Sequence, residues 1–218
     1  LLAISAVINM HTIEAFLFRN YNLPSRSFSY YQGSSSYKVW QAIRASAAAP
    51  GYFEEFTLGN KVHQDGGILI NNPTALAVQE AKLLWPNQSI ECVVSLGTGK
   101  YIPPLNISSN EIKVSSTSLK TKISRFIDSA TDTEMVHRLM HDLLPDGSYH
   151  RLNPNLSEIT TIDENRIEKL EQMKMDTEMY MRKYDYKLKQ AIKDLCRKRS
   201  KLDQVQDWIK LQSSIMMK

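Results

Sequence analysis

The sequence is poor in cysteine and has no long apolar run, and each shortage excludes a class of protein. Two cysteines among 218 residues are too few for a disulfide framework, and Cys92 lies in the apolar run ECVVSLG, where a small buried thiol is expected. The longest apolar runs, such as the opening LLAISAVI, fall well short of the roughly 18 residues that a membrane-spanning helix needs. We therefore expect one sizeable globular core with no membrane-crossing segment.

Glycine is also scarce, and the eight glycines lack the spacings of several catalytic motifs. The stretch SLGTGKY has Val94 where a P-loop places its first glycine and Tyr101 where it places Ser or Thr. Gly97 and Gly99 lack the third glycine of a dinucleotide-binding motif, because Ile102 stands there. No two glycines are four residues apart, so G-x-S-x-G, the turn that exposes a nucleophilic serine, does not occur in these residues.

The charged residues and histidines do not form a cofactor, metal or nucleic-acid site. His137 and His141 have the i, i+4 spacing of two ligands on a helix, but no third ligand accompanies them. The net charge of +4 comes from residues 151–218, where basic and acidic residues alternate as on a solvated helix face. We predict no cofactor, no metal and no nucleic-acid partner, whereas this mildly basic, Met-rich tail permits contact with an anionic membrane surface.

Hydrophobic patterning in the first half predicts an α/β fold. Short strands are expected in LAISAVIN, AFLFRNY and YFEEF, around a helix with apolar residues at Val39, Ile43 and Ala47 that ends before Pro50. A second helix is predicted over residues 73–84, followed by IECVVSLGTG, a continuous apolar run typical of a strand covered on both faces. This order of strand, helix and strand predicts a right-handed crossover in a largely parallel sheet flanked by helices.

The second half is predicted to be a long loop followed by helices. Residues 100–118 are rich in Ser, Asn and Pro and read as a surface loop, and helices are expected over 119–130 and from Thr131, whose capping-box partner is Glu134. LPDGS predicts a turn.

The chain after Pro154 has a different character from the rest. Its apolar residues recur at spacings of three, four and seven, as in an amphipathic helix or helical pair: Met181, Tyr184, Leu188, Ile192, Leu195, Leu202, Val205 and Ile209. Such a stripe packs against the body of the protein, against a partner helix or on a membrane surface. We therefore divide the chain into a domain over residues 1–154 and a helical tail over residues 155–218.

One acidic residue stands out in VHQDGGILINNPTALAVQEA, residues 62–81. Asp65 follows a strand-like run and precedes Gly66 and Gly67, which suggests that something approaches the backbone closely there. Asn72 and Pro73 fit the N-cap and first-turn positions of the next helix. At a strand end the Asp65 carboxylate either projects into a crevice as a functional group or closes a turn, as Asp-Gly pairs often do.

The segments QAIRASAAAPGYF, HQDGG, NNPTALAVQEA and VVSLGTG, in this order and at these separations, resemble the patatin-like phospholipases. This resemblance implies a patatin-like α/β fold, incomplete in this chain, and a serine acyl hydrolase that uses a Ser-Asp dyad without histidine and without calcium. Asp65, Gly66 and Gly67 fall on the family's D-G-A/G motif, so Asp65 would be the general base. The implied substrate is a phospholipid or other fatty-acyl ester at a peripheral membrane surface inside the cell, on the mitochondrial, peroxisomal or endoplasmic reticulum membrane.

The chain departs from the family at the nucleophile, since both the G-x-S-x-G turn and the glycine-rich oxyanion loop are missing from it. Ser95 in VVSLG is a poor substitute, because Val93 replaces the first glycine and the run continues as a strand. His63 would share a strand face with Asp65 and could complete a Ser-His-Asp arrangement, but a partly exposed structural histidine is the expectation.

Two hypotheses follow from this departure. In the first, the chain is the C-terminal part of a patatin-like acyl hydrolase whose serine lies upstream of Leu1, so that this chain alone is inactive. In the second, it is a truncated, non-catalytic pseudoenzyme or helical interaction module in which the tail does the binding.

Overall fold

The computed structural model describes residues 1–101 and 133–197, and beyond them residues 202, 204–206, 208, 209 and 212. The chain divides into two units. Within the described ranges, the first unit contains residues 1–90 and 133–151, and the second contains residues 91–101 and those from 152 onwards.

A five-stranded sheet forms the centre of the first unit. Its strands are β1 (Leu2–Val7), β2 (Glu14–Arg19), β3 (Gln32–Ser34), β4 (Phe56–Leu58) and β5 (Lys61–Asp65), in the spatial order β3-β2-β1-β5-β4. Strand β1 runs antiparallel to both β2 and β5, β4 runs antiparallel to β5, and β2 is parallel to β3.

The sheet is therefore mixed. We expected largely parallel strands, but most neighbouring strands in this sheet are antiparallel. Three of the five strands, β2, β3 and β5, share one direction, but β2 and β3 are the only parallel neighbours among these five. The reason lies in the connections: β1 and β2, like β4 and β5, are joined by short hairpin links, whereas parallel strands need a crossover of a dozen or more residues. Gly59, with φ of 61°, forms the tight β4–β5 turn.

Helices lie on both faces of this sheet, as an α/β fold requires. They are α1 (Val39–Ser46), α2 (Gly67–Ile70) and α3 (Thr74–Leu84), and a further helix, α4 (Glu134–Leu143), contacts α3. One face packs Val7, Phe16 and Phe18 against Ala45 of α1. The other face packs Ile4 and Leu17 against Leu76 of α3 and Ile70 of α2. Alternate residues of β1 and β2 thus belong to two separate apolar clusters.

The predicted helices of the first unit that fall on described residues are present. Helix α1 ends at Ser46, four residues before Pro50. Helix α3 begins at Thr74, one residue later than predicted, and the Asn72 side chain accepts a hydrogen bond from the Thr74 N–H at 3.2 Å, as a capping residue does. The LPDGS turn is confirmed, since the Ser148 N–H donates to the Pro145 carbonyl at 3.0 Å.

Other predictions fall wholly or partly outside the described residues. These are the loop over 100–118, of which only β7 (Lys100–Tyr101) is described, the helix over 119–130, and the start of a helix at Thr131. The described part of that last helix begins at Glu134.

The second unit contains β6 (Val93–Leu96), β7, β9 (Asn155–Leu156), α5 (Ile167–Lys183) and α6 (Asp185–Leu195), while β8 (Tyr149–Leu152) spans the boundary in sequence. Strands β7 and β9 pair in parallel. The prediction that β6 is covered on both faces is wrong: Ser95 alone among its residues is buried, and Leu96 is 72% exposed. This four-residue strand lies outside the five-stranded sheet, whose two faces carry the helices.

Residues 167–195 of the tail form a helical pair, one of the two arrangements predicted, with Tyr184 between α5 and α6. Asp176 of α5 is buried and accepts hydrogen bonds from the Ser157 N–H and Oγ, both at 2.8 Å, and from Gln172 at 2.9 Å. Burial alone would raise the pKa of Asp176, but these bonds lower it overall. Ile192 and Leu195 of the apolar stripe remain about half exposed or more.

Among the described residues, no helix has both the length and the apolar character that crossing a membrane requires.

A buried ion pair ties β2 to α3 in the first unit. Arg19 contacts both carboxylate oxygens of Glu80, with Nε at 2.7 Å and Nη2 at 2.8 Å, and both side chains are less than a tenth exposed. Tyr21 and Ser29 donate further hydrogen bonds to the same carboxylate. Burial alone would raise the pKa of Glu80, but the bonds from Arg19 and Tyr21 lower it overall. Burial and the bond to Glu80 raise the pKa of Tyr21 to about 12.

We expect Glu80→Ala to lower the free energy of unfolding by about 3–5 kcal/mol, because it leaves the Arg19 guanidinium buried without a counter-charge. Urea unfolding followed by circular dichroism measures this loss. The contribution of Glu80 should be present above the ordinary carboxyl pKa of 4.5 and disappear as the pH falls below it. Glu178→Ala, which removes an exposed ion pair to Arg182, is the control and should change little. Equal losses in both variants would contradict this account.

Candidate active site

Asp65 is the last residue of β5 and is held by two neighbouring segments. Its Cα pairs with that of Ser5 in β1, and its N–H donates a hydrogen bond of 2.9 Å to the carbonyl of Ala48, just after α1. The chain then leaves the sheet and enters α2. The position of the carboxylate therefore depends on β1, the end of α1 and the turn that follows β5.

The Asp65 carboxylate closes this turn with one oxygen and keeps the other available. Oδ1 accepts a hydrogen bond of 2.7 Å from the Gly67 N–H, which is the Asp-Gly turn that the sequence allows. Within the described ranges, Oδ2 accepts no hydrogen bond. The turn-closing and functional interpretations are thus compatible, because each uses a different oxygen.

Gly66 is needed for space, and neither Gly66 nor Gly67 is needed for an unusual backbone conformation. A Cβ on Gly66 would lie 2.3 Å from the Ile4 carbonyl oxygen, so β1 approaches this residue too closely for any side chain. A Cβ on Gly67 would lie 3.0 Å from Asp65 Oδ1 and 3.2 Å from Asn71 Oδ1. Neither glycine has a positive φ. The expectation of a close backbone approach at this pair is confirmed.

A cavity of about 420 Å³ opens beside the carboxylate. Strand β5 pairs with β1 only at residues 5–7 of β1. Because the chain turns away after Asp65, residues 2–4 of β1 have no pairing with β5, and they line the cavity. Most of the lining is apolar: Leu2, Ala3, Ile4, Ile70, Pro73 and Ala77. Its polar side chains are Asp65, Asn71 and Ser46, the last residue of α1. Sequence patterns had not pointed to Ser46, because RASAAAP carries no catalytic motif.

His63 is a core residue, which corrects the expectation of partial exposure. Its side chain is fully buried, Nδ1 shares a 2.8 Å hydrogen bond with Ser5 Oγ, and the ring lies 5.3 Å from that of Phe16 and 5.5 Å from that of Phe18. No described residue bonds its Nε2. Burial, followed by the charge of Lys61, lowers the pKa of His63. Asp65 does not hydrogen-bond His63, so the structure does not assemble the Ser-His-Asp arrangement.

The other candidate residues form no alternative centre. Ser95 lies in β6, which is followed by β7 and not by a helix, so it lacks the strand-turn-helix geometry of an exposed nucleophile. The His137 ring contacts Tyr149, and His141 bonds its neighbour Asp142. Among the residues that the structure describes, no group of three or more His, Cys, Asp or Glu could hold a metal ion.

Comparison with known proteins agrees with this architecture. Residues 4–78, from β1 into α3 and including Asp65, match the model of the family described as patatin-like phospholipase. The chain belongs to the patatin-like phospholipase family, and the expected patatin-like α/β class is confirmed. In particular, it is similar to calcium-independent phospholipase A2-gamma: it is 48% identical to the rabbit (Oryctolagus cuniculus) protein and 47% identical to the human (Homo sapiens) protein over 214 residues.

The similarity covers 98% of this chain but only 27% of those two relatives, so the chain spans about a quarter of their length. A plant relative, phospholipase A I of Arabidopsis thaliana, is 34% identical over 183 residues, which is 69% of this chain and 13% of that protein.

The geometry at Gly66 and Gly67 predicts different effects for two similar substitutions. Gly66→Ala should lower the free energy of unfolding by about 1–3 kcal/mol, because its methyl group overlaps the Ile4 carbonyl. Gly67→Ala should leave stability nearly unchanged, since the methyl group meets only the ends of the Asp65 and Asn71 side chains. Urea unfolding of the two variants checks this, and a larger loss for Gly67→Ala would show that the close contact is misassigned.

Burial of neutral His63 predicts a pH dependence of stability. Because folding lowers its pKa, the unfolded chain binds the proton more readily, so its contribution is present above the unfolded pKa of 6.5 and is lost as the pH falls below that value. In His63→Gln, which keeps a polar partner for Ser5, this component should disappear. Urea unfolding between roughly pH 7.5 and pH 5.5 gives the slope of the unfolding free energy against pH for the wild type and for His63→Gln. An unchanged slope would assign the pH dependence to other groups.

Proposed function

We propose that the protein hydrolyses fatty-acyl ester bonds of phospholipids without calcium, through a Ser-Asp dyad in which Asp65 is the general base. The serine nucleophile lies upstream of Leu1, and this chain alone is inactive. The observation that carries the proposal is the Asp65 carboxylate on the wall of a mostly apolar cavity, with Oδ1 bonded to the Gly67 N–H and Oδ2 without a partner among the described residues. The family match includes this stretch.

The chemistry requires a carboxylate fixed at hydrogen-bond distance from a serine hydroxyl. Asp65 Oδ2 takes the hydroxyl proton as the serine oxygen attacks the ester carbonyl, and it returns that proton to the departing alcohol when the ester bond breaks. A water molecule then attacks the acyl-enzyme and gives a proton to Asp65. Asp65 returns that proton to the serine oxygen as the acyl–serine bond breaks, and the fatty acid leaves. A carboxylate is a weak base at neutral pH, so the step depends on the fixed position that the Gly67 N–H imposes.

The cavity lining suits the acyl part of such a substrate. Leu2, Ile4 and Ile70 offer an apolar wall to a fatty chain, and Asp65 marks the position of the ester. In this proposal residues 1–154 form the C-terminal portion of the acyl-hydrolase domain and residues 155–218 a helical tail. The protein acts at an intracellular membrane surface, in mitochondria, peroxisomes or the endoplasmic reticulum, without nucleic-acid partners.

A non-catalytic role is the second candidate, because no G-x-S-x-G occurs in these 218 residues. In that case a truncated patatin-like pseudoenzyme would bind a partner through its helical tail, whose residues Ile192 and Leu195 are exposed. The two candidates differ in whether the full-length protein carries a reactive serine.

We expect Asp65→Asn in the full-length protein to lower kcat for phospholipid hydrolysis by about 10²–10⁴-fold, the usual contribution of a general base. Asparagine keeps an oxygen for the Gly67 N–H, so the unfolding free energy should change little. Rates on a phospholipid substrate and urea unfolding of the same preparations separate the two effects. A fully active, equally stable variant would exclude Asp65 as the base.

A fluorophosphonate probe tests the origin of the nucleophile. The full-length protein should be labelled on one serine outside residues 1–218, as mapped by mass spectrometry, and Ser46→Ala should be labelled equally well. A label on Ser46, which also lines the cavity, would contradict an upstream nucleophile. Absence of any label, together with absence of hydrolysis, would favour the non-catalytic candidate.

A further inference from the structure

The cavity beside Asp65 reaches both faces of the five-stranded sheet. Residues 2–4 of β1 line it, and successive side chains of a strand point to opposite faces. Ala3 packs against the apolar cluster on the α1 face, whereas Leu2 and Ile4 pack in the cluster on the α3 face. The cavity therefore passes from one face to the other around the edge of β1 that β5 leaves unpaired.

Asp65 lies on the α1 side of this cavity. It is paired with Ser5, and residues that stand opposite each other in neighbouring strands point to the same face of the sheet. Ser5 follows Ala3 by two residues, so it shares the α1 face with Ala3. The Asp65 N–H also bonds the Ala48 carbonyl just after α1, and Ser46 of α1 lines the cavity. The position proposed for the ester is therefore on the α1 side.

Ala77 of α3 lies on the other side of the cavity. Helix α3 packs on the opposite face of the sheet through Leu76, and the next residue, Ala77, is exposed and lines the cavity. Ile70, which packs in the same apolar cluster as Leu76, also lines this side. Because its side chain ends at Cβ, Ala77 leaves space that a longer side chain would occupy. A molecule that extends from Asp65 to Ala77 crosses from the α1 face to the α3 face.

The size and polarity of the cavity suit a long chain with one polar end. A cavity of roughly 150 Å³ holds benzene, which is about 25 Å³ for each carbon atom. At that ratio the cavity of about 420 Å³ has room for on the order of 15 carbons. Among its described lining residues only Asp65 carries a charge, and most of the others are apolar. This is the volume of a complete fatty acyl chain and not of a short acyl group.

We propose that the acyl chain of the substrate runs from Asp65 around the edge of β1 to α3, and that Ala77 limits the length of chain that the cavity accepts. This inference rests on the proposed function, because Asp65 marks the position of the ester. Ala77 contacts the far carbons of the chain and not the reacting ester, so it determines specificity and takes no part in the chemistry. The change Ala77→Leu adds three carbons to the wall and removes about as much space from the end of the cavity.

Esters of different chain length measure this limit. The full-length protein is assayed on the 4-nitrophenyl esters of butanoic and hexadecanoic acid, presented in the same detergent micelles. Ala77→Leu should lower the ratio of kcat/KM for the long ester to kcat/KM for the short ester by about tenfold or more. The reason is that up to three carbons of the long chain lose apolar contacts that contribute roughly fourfold each. Ala77→Val, which adds two carbons, should lower the ratio less. An unchanged ratio in both variants would overturn the proposal.

Ala81→Leu is the matched control for this assay. Ala81 lies one turn after Ala77 on the same helix but does not line the cavity. Alanine and leucine have similar helix propensities, so neither leucine variant should disrupt α3, and urea unfolding of both preparations verifies this. Ala81→Leu should keep the wild-type ratio of long-ester to short-ester hydrolysis. Equal falls in Ala77→Leu and Ala81→Leu would assign the effect to α3 as a whole and overturn the role of Ala77.

A thiol-protection measurement separates this inference from the proposed function. In the full-length Ala77→Cys variant, hexadecanoate should slow maleimide labelling of residue 77 severalfold, as mapped by mass spectrometry, whereas butanoate should not. Protection in a protein that hydrolyses no ester would leave the acyl path standing and reject the catalytic proposal. Ester hydrolysis by the wild type, without protection at residue 77, would keep the catalytic proposal and overturn the acyl path. Absence of both would reject both.

Discussion

The close contact between Gly66 and the Ile4 carbonyl determines the geometry of the candidate site. Because Gly66 carries no side chain, the chain can stay against β1 as far as Asp65 and turn away directly after it. This turn places Asp65 at the end of the strand, lets the Gly67 N–H hold Oδ1, and leaves residues 2–4 of β1 open towards the cavity. The carboxylate and the cavity thus have the same structural origin.

Other interactions support that arrangement from both faces of the sheet. The Arg19–Glu80 pair fixes α3, which begins shortly after the Asp65 turn, and the Asn72 side chain caps its first residue. On the opposite face, His63 packs among Phe16 and Phe18 and bonds Ser5, the residue that pairs with Asp65. A strand that is anchored on both faces gives Asp65 the rigid position that the proposed proton transfer requires.

Features that depend on local sequence could be predicted, such as helix α1 and the turn after Asp65. Features that depend on contacts between distant segments could not be predicted. The spacing of Val39 and Ile43 predicted α1, and Asp-Gly-Gly predicted a close backbone approach, because both are local properties of the chain. The direction of neighbouring strands was mispredicted, since the order of strands in the sheet brings β1 between β2 and β5, which no single segment encodes. The burial of His63 was missed for the same reason: its neighbours Phe16 and Phe18 are more than forty residues away in sequence.

The central claim is that Asp65 Oδ2 is the base for a serine that comes from outside these 218 residues. The most direct test is a crystal structure of the full-length protein, in which the distance from Asp65 Oδ2 to the nearest serine Oγ is measured. This account predicts a serine upstream of Leu1, on a strand-to-helix turn, at about 2.6–3.2 Å from Oδ2 across the cavity. A cavity filled by other side chains, with no serine hydroxyl within hydrogen-bond reach of Asp65, would contradict it.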